Sequence, residues 1–157
     1  MTKKPVTNIS VCYNVALVTV DNLPSNMNLI SSIFDIIARQ KINIDMISQA
    51  PPYRGTINLS FSIPADSLIT AISALNRFKK DVPGLRIEVD ADNAKITVYG
   101  EEMKNIPGVA AKLFTLLANI GIEVKLVTTS EVEISYLVSE KDVDRAISEI
   151  KKEYGLL

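Results

Sequence analysis

Hydrophobic positions in the first half of the chain alternate between a period of two and a period near 3.6. Ala16 to Val20 is a β-branched run that stops at Asp21-Asn22-Leu23-Pro24-Ser25-Asn26, a cluster of turn formers, so a strand leads into a loop. Leu29, Ile30, Ile33, Phe34, Ile36 and Ile37 recur at helical spacing, with Ser31, Ser32, Asp35 and Arg39 on the polar side, and predict a helix ending near Gln40. Ile42, Ile44 and Met46 alternate with polar residues in a second strand reaching Ser48. Pro51-Pro52-Tyr53-Arg54-Gly55 connects it to a third, where Ile57, Leu59, Phe61 and Ile63 alternate strictly. Asp66 or Ser67 is placed to cap a second helix with Leu68, Ile69, Ile72, Leu75 and Phe78 on its apolar face, stopped by Pro83-Gly84. Leu85, Ile87 and Val89 supply a fourth strand. The order βαββαβ predicts a ferredoxin-like α+β module, an antiparallel sheet with two helices on one face.

The order then returns. Ile42-Asn43-Ile44-Asp45-Met46-Ile47-Ser48-Gln49 has a counterpart in Ile122-Glu123-Val124-Lys125-Leu126-Val127-Thr128-Thr129, and such a repeat marks a duplicated module. The second copy reads as strand Lys95–Tyr99, loop Gly100–Pro107, helix Gly108–Ile120, strands Ile122–Thr128 and Glu131–Val138, and helix Lys141–Tyr154. Only Gly155-Leu156-Leu157 follows, too little for a fourth strand, whereas Val6–Tyr13 is strand-like and unassigned. An unpaired sheet edge is costly, so the N-terminal run is expected to complete the second sheet. That makes the first module, residues 16–91, an insertion within the second, residues 1–15 plus 92–157.

Composition narrows the chemistry. Seventeen basic against 18 acidic residues give no electrostatic reason to expect nucleic acid or an anionic membrane as partner. The lone Cys12 has no internal disulfide partner, and no stretch is long and apolar enough for a signal peptide or a membrane span, which points to the cytoplasm. With no His and one Cys, zinc sites built on those ligands, Ser-His-Asp triads and Cys-His dyads are excluded. Phe34, Phe61, Phe78 and Phe114 lie on apolar faces and are expected in the core, and Cys12 is expected as a small buried hydrophobe. Glu101-Glu102 and Lys151-Lys152-Glu153 read as solvated surface.

Binding chemistry remains open at a few positions. Gly108, after Pro107, starts a helix; it either lets the backbone approach a neighbour or a ligand carboxylate, which free N–H groups would hold, or it only makes the turn. Ser130 and Glu131, between two strands, are placed to hold a ligand ammonium or simply to close that turn. Gln49, at a strand end, has an amide that both donates and accepts, which suits an amino-acid ligand and equally an exposed strand end. Asp45 projects to solvent or meets an ammonium group.

Taken jointly, these residues resemble a known family. Lys95-Ile96-Thr97-Val98 through Met103, Pro107-Gly108-Val109-Ala110-Ala111-Lys112, Phe114, and Thr129-Ser130-Glu131 with Ile134-Ser135 are similar to the C-terminal regulatory region of aspartate kinases. Ile42-Asn43-Ile44-Asp45-Met46-Ile47 with Gln49, Gly55-Thr56 and Leu59-Ser60-Phe61 resembles that family's first ACT domain. The resemblance covers nearly the whole chain. It implies tandem ACT domains, a homodimer in which ACT domains of two chains pair, and lysine, threonine or both bound as feedback inhibitors of the first step from aspartate. It carries effector roles onto Ser25, Asn26, Asn28, Leu29, Ile30 and Gln49 in the first copy. In the second copy it carries them onto Gly108, Val109, Ala110, Glu123, Val124, Ser130 and Glu131.

Two departures bear on the ligand. Where the family's first loop reads Asp-Lys-Pro-Gly, this chain has Ser25-Asn26-Met27-Asn28, with Asn28 expected to take the glycine's left-handed conformation. Glu123-Val124 replaces an Asn-Ile pair, so an amide becomes an acceptor only, which favours a cation such as a lysine side chain. The residues hold no glycine-rich phosphate loop, so the family's catalytic domain, with its ATP and magnesium, is absent from them, and aspartate phosphorylation would need a catalytic domain or subunit as partner. Other readings remain: a stand-alone ACT-type sensor, or an acylphosphatase-like hydrolase, which needs an arginine beside a phosphate-cradling loop. Single-stranded RNA binding on the sheet would want exposed aromatic residues on the central strands.

Overall fold

Along residues 3–157, which the computed structural model describes, the elements run β1 (Asn8–Pro24), α1 (Met27–Arg39), β2 (Ile47–Gln49), β3 (Thr56–Pro64), α2 (Leu68–Lys79), β4 (Arg86–Tyr99), α3 (Val109–Asn119), β5 (Leu126–Thr129), β6 (Glu133–Ser139) and α4 (Val143–Tyr154). Strands expected to be separate are fused: the N-terminal run continues into the first strand of the first copy, and the fourth strand of that copy continues into the second copy. The chain nevertheless divides into a central unit, Asn14–Asp92, and a terminal unit made of the segment ending at Tyr13 together with Asn93–Leu157. Both division points carry a left-handed residue, Asn14 (φ 58°) and Asp92 (φ 61°). Residues 1 and 2 of the expected second module lie outside the described residues.

In the central unit β3 pairs antiparallel with β1 and β2, in the order β2-β3-β1-β4. Ala16 faces Ile63, Val18 faces Phe61 and Val20 faces Leu59, and all six are buried against the helices. From α1 come Ile30, Ile33 and Ile37, and from α2 Ala71, Leu75 and Phe78. The second strand is shorter than expected, beginning at Ile47 rather than Ile42. The Asp45 N–H donates to the Ser62 carbonyl and the Met46 N–H to the buried Ser62 hydroxyl (2.9 Å), so a side chain takes the place of a ladder bond and regular pairing starts one residue later. Ile69, expected on the buried face of α2, is 84% exposed, because the face set by Ala71, Ala74, Leu75 and Phe78 points away from it. Neither Asp66 nor Ser67 caps α2; a 3₁₀ turn, Ala65–Ser67, leads into it with no side-chain cap.

The terminal unit repeats the plan. β4 and β5 pair antiparallel with β6, and the N-terminal part of β1 lies on the other side of β4, where the Thr7 N–H donates to the Tyr99 carbonyl (2.8 Å). The duplication extends to side chains: Thr19 bonds Ser60 across the central sheet (3.2 Å) as Thr97 bonds Ser135 across the terminal one (2.9 Å). Val109, Leu113 and Leu117 of α3, spaced i, i+4, i+8, and Val143, Ala146, Ile150 and Tyr154 of α4 cover Ile96, Val98, Ile134, Tyr136 and Val138. Here too the strands start late, β5 at Leu126 and β6 at Glu133.

Two core expectations fail in this unit. Phe114 lies beside the buried stripe of α3 and is 40% exposed, its ring set edge-on against Tyr136 at 5.4 Å between centroids. Cys12 is exposed, on the face of β1 opposite the half-buried Ile9 and Val11 that pack on the core. Phe34 is half-buried, while Phe61 and Phe78 are core residues.

Candidate functional site

The second-copy residues converge where the β4–α3 connection meets the β5–β6 turn. Pro107-Gly108 ends the connection, and Gly108 adopts φ +86°, a left-handed conformation that side chains other than Gly or Asn rarely take. The expected close approach to a neighbour is not there: a Cβ on Gly108 would meet nothing within 4 Å, so backbone angle alone calls for glycine. Gly108 caps α3 without a side-chain bond, and its carbonyl accepts from the Lys112 N–H (3.0 Å). The helix itself supplies no acceptors for the N–H groups of Val109, Ala110 and Ala111, which carry the positive end of its dipole.

Opposite stands the β5–β6 turn. The Ser130 N–H donates to the Glu133 carbonyl (2.8 Å) and the Glu133 N–H to the Ser130 hydroxyl oxygen (3.1 Å). With that oxygen already accepting, the Ser130 O–H remains a donor. Glu131, at the turn's tip, is exposed. Gly108, Val109, Ala110, Ser130 and Glu131 line one open cavity of 240 Å³, whose apolar wall is Met103, Ile106 and Ile134. The arrangement offers amide donors on one side, a hydroxyl and a carboxylate on the other and an aliphatic wall between, a set that matches an α-amino acid.

Glu123 and Val124 do not join them. Glu123 borders a different cavity, of 310 Å³, with Gly121, Ser139, Lys141 and Arg145, while Val124 packs its side chain on the core. In that second cavity Arg145 is fixed by donating to the Ile120 carbonyl (2.8 Å) and pairing with the largely buried Asp142 (2.7 Å).

The first-copy residues are placed differently. Asn26 caps α1, its side-chain oxygen accepting from the Asn28 N–H (2.9 Å), so one of the donors that α3 leaves available is occupied in α1. Asn28 lies within α1 and is right-handed, not left-handed as expected; with the cap made by Asn26, the turn needs no glycine-like residue there. The Ser25 N–H donates to the Gly55 carbonyl (2.9 Å), Leu29 is half-buried and Ile30 belongs to the core. Gln49 ends β2 and is exposed. Asn26→Ala should lower the stability of the chain by about 1 kcal/mol, read as a shift in the urea midpoint.

Sequence reasoning missed Met103, Ile106, Thr129 and Ile134 as cavity residues. Met103 is also a core residue, anchored in the 3₁₀ turn Glu101–Asn105. Among the described residues no group of His, Cys, Asp and Glu is placed to hold a metal ion, and no helix is long and apolar enough to cross a membrane.

Two βαββαβ units in one chain are the arrangement of tandem ACT domains, and a model of the ACT domain matches residues 18–77 and again 96–154. The aspartokinase of Bacillus sp. (strain MGA3) is 37% identical over 142 residues, which cover 90% of this chain and 34% of that protein. A crystal structure of aspartokinase alpha and beta subunits superposes with a TM-score of 0.87 at 31% identity, over 96% of this chain and 99% of that one. The ligand-free regulatory subunit of aspartate kinase from Thermus thermophilus gives 0.86 at 25% identity, over 95% and 98%. The chain therefore belongs to the ACT-domain family, in the group formed by aspartokinase regulatory regions. It spans about a third of the length of the aspartokinases it matches, and these residues correspond to the regulatory part, without the kinase catalytic domain.

Proposed function

We propose that this chain senses an amino-acid effector, lysine or threonine, in the cavity beside Gly108. Binding there lowers the activity of an aspartate kinase catalytic domain or subunit, as feedback inhibition of the first step of aspartate-family biosynthesis in the cytoplasm. The observation that carries the reading is the convergence of Gly108, Val109 and Ala110 with Ser130 and Glu131 around one cavity. An effector carboxylate accepts from the first N–H groups of α3 and from the Ser130 hydroxyl, its ammonium pairs with Glu131, and its aliphatic carbons lie on Ile106 and Ile134. Ser25, Asn26, Asn28, Leu29, Ile30 and Gln49 form the matching first-copy site, with weaker anion binding because Asn26 already occupies a helix-terminal donor.

In this reading the central unit is an ACT domain inserted in the terminal one, two chains pair through their ACT domains, and an effector that prefers one dimer arrangement shifts the population toward it. Titration calorimetry with lysine, threonine and methionine, singly and in pairs, tests it. Heat is expected with lysine or threonine; no heat and no thermal shift with any of the three would sink effector binding and leave the fold untouched. A stand-alone amino-acid sensor would bind in the same titration yet leave aspartate kinase activity unchanged. The hydrolase reading lacks support, since the Gly108 cavity has no arginine in its lining.

A further inference from the structure

We infer that residues Lys3–Thr7 form a strap that carries the state of the Gly108 cavity to the N-terminal end of the terminal unit. For its ligand the inference rests on the effector reading above; the strap itself is built from separate contacts.

Val6 is fully buried in the terminal core. The Thr7 N–H and hydroxyl both donate to the Tyr99 carbonyl, at 2.8 and 3.3 Å. Pro5 crosses directly over Gly100: a Cβ there would overlap the Pro5 carbonyl oxygen and stand 2.6 Å from its carbon. The Lys3 ammonium pairs with Glu102 (3.3 Å), whose carboxyl the Asn105 amide and Lys3 hold below the usual carboxylate range. Glu101-Glu102, read from sequence as solvated surface, is engaged at both positions, since Glu101 accepts from the Tyr99 hydroxyl (2.5 Å) and pairs with Lys104 (3.6 Å). Lys4 lies beside Gly155, the left-handed residue that ends α4.

The contacts of Lys3, Pro5 and Thr7 land on Tyr99–Glu102, and that stretch is the root of both cavity walls. It continues as the turn Glu101–Asn105, in which the Met103 N–H donates to the Gly100 carbonyl (3.1 Å) and the Ile106 N–H to the Met103 carbonyl (3.4 Å). Met103 and Ile106 belong to the apolar wall. The Gly100 N–H donates to the Val132 carbonyl (2.9 Å), hanging the same stretch from the turn that carries Ser130 and Glu131. Close-packed contacts of this kind switch between discrete arrangements rather than deform smoothly. A ligand that draws the two walls together therefore moves Gly100, and with it the strap.

Amide hydrogen exchange on the whole chain tests this, followed at Val6 and Thr7 with β6 amides as reference. Gly108→Ala strains the cavity rim without touching the strap, and should speed exchange at Val6 and Thr7 by about tenfold beyond any change in β6. Ile106→Ala serves the same purpose if Gly108→Ala does not fold. With saturating L-threonine or L-lysine, exchange at the two amides should change in the native chain and change less in Lys3→Gln and Glu102→Gln. Heat in calorimetry without any response at Val6 and Thr7 would overturn the strap and leave the effector reading standing. If neither amino acid gives heat, the effector reading falls and the cavity variants decide alone: exchange at Val6 and Thr7 that follows β6 overturns the strap as well.

Discussion

Gly100→Ala is expected to lower the stability of the chain by about 3 to 4 kcal/mol, the loss of Val6 burial and of the backbone bond at Thr7 combined. The glycine is extended (φ −169°), so no unusual backbone angle requires it. Space does: the added carbon meets backbone atoms of Pro5 and Val6, which have no rotamer by which to retreat. The N-terminal segment must leave, taking Val6 out of the core and Thr7 off Tyr99. Urea unfolding followed by circular dichroism measures the loss, and a chain lacking residues 1–7 supplies the control. In that chain the clash is gone, and the same substitution should cost under about 1 kcal/mol, a non-additivity that identifies the mechanism. Equal costs in both chains would place the effect elsewhere.

That close approach was not legible in the sequence, because it depends on which segment crosses Gly100, and nothing local to Gly100 encodes the crossing. What alternation and periodicity reach is set by faces. Ile57 to Ile63 names its buried side correctly, since one face of that strand meets the helices, whereas Ile134 to Val138 is buried at every position and alternation has no exposed face to mark there. Where the backbone finds another partner the pattern misleads: Ile42 and Met46 are buried as alternation implies, yet the Ile42 N–H donates back to the Ile37 carbonyl (3.4 Å) and the Met46 N–H to the Ser62 hydroxyl. Fusion of β1 escapes notice for a related reason. Asn14 looks like a turn residue and does adopt φ > 0, but the strand passes through it. Phe114 and Ile69 show that an apolar residue within a helix is not thereby on its buried stripe.

The candidate site was legible in part for the same reasons. Gly108 and the Ser130-Glu131 turn are marked by residue types whose backbone or side-chain roles are local, and the fold brings them to one cavity. Glu123 follows them in the resemblance but not in space, since a residue at the start of the β5 segment lies at the opposite end of that strand from its closing turn.

Glu131→Ala should weaken amino-acid binding by about ten- to a hundredfold, because a charge-assisted hydrogen bond to a ligand is worth about 1.5–3 kcal/mol. Glu131→Gln keeps an acceptor while losing the charge, and should fall between the native chain and the alanine variant. Gly108→Val is expected to remove measurable binding, since a β-branched residue at φ +86° forces the rim of α3 to rebuild. Glu123→Ala is the discriminating control: bordering the other cavity, it should change affinity by less than about threefold. Calorimetry on the four variants with L-threonine and L-lysine reads all of these. Loss of binding in Glu123→Ala with retention in Glu131→Ala would move the site to the Arg145 cavity. Matched losses with Asn26→Ala would instead put the ligand at the first copy, where the Asn26 cap already holds the Asn28 donor that the terminal unit leaves open in α3. The two copies thus differ at the start of their first helix, where Asn26 caps α1 with a side-chain bond and Gly108 begins α3 with none.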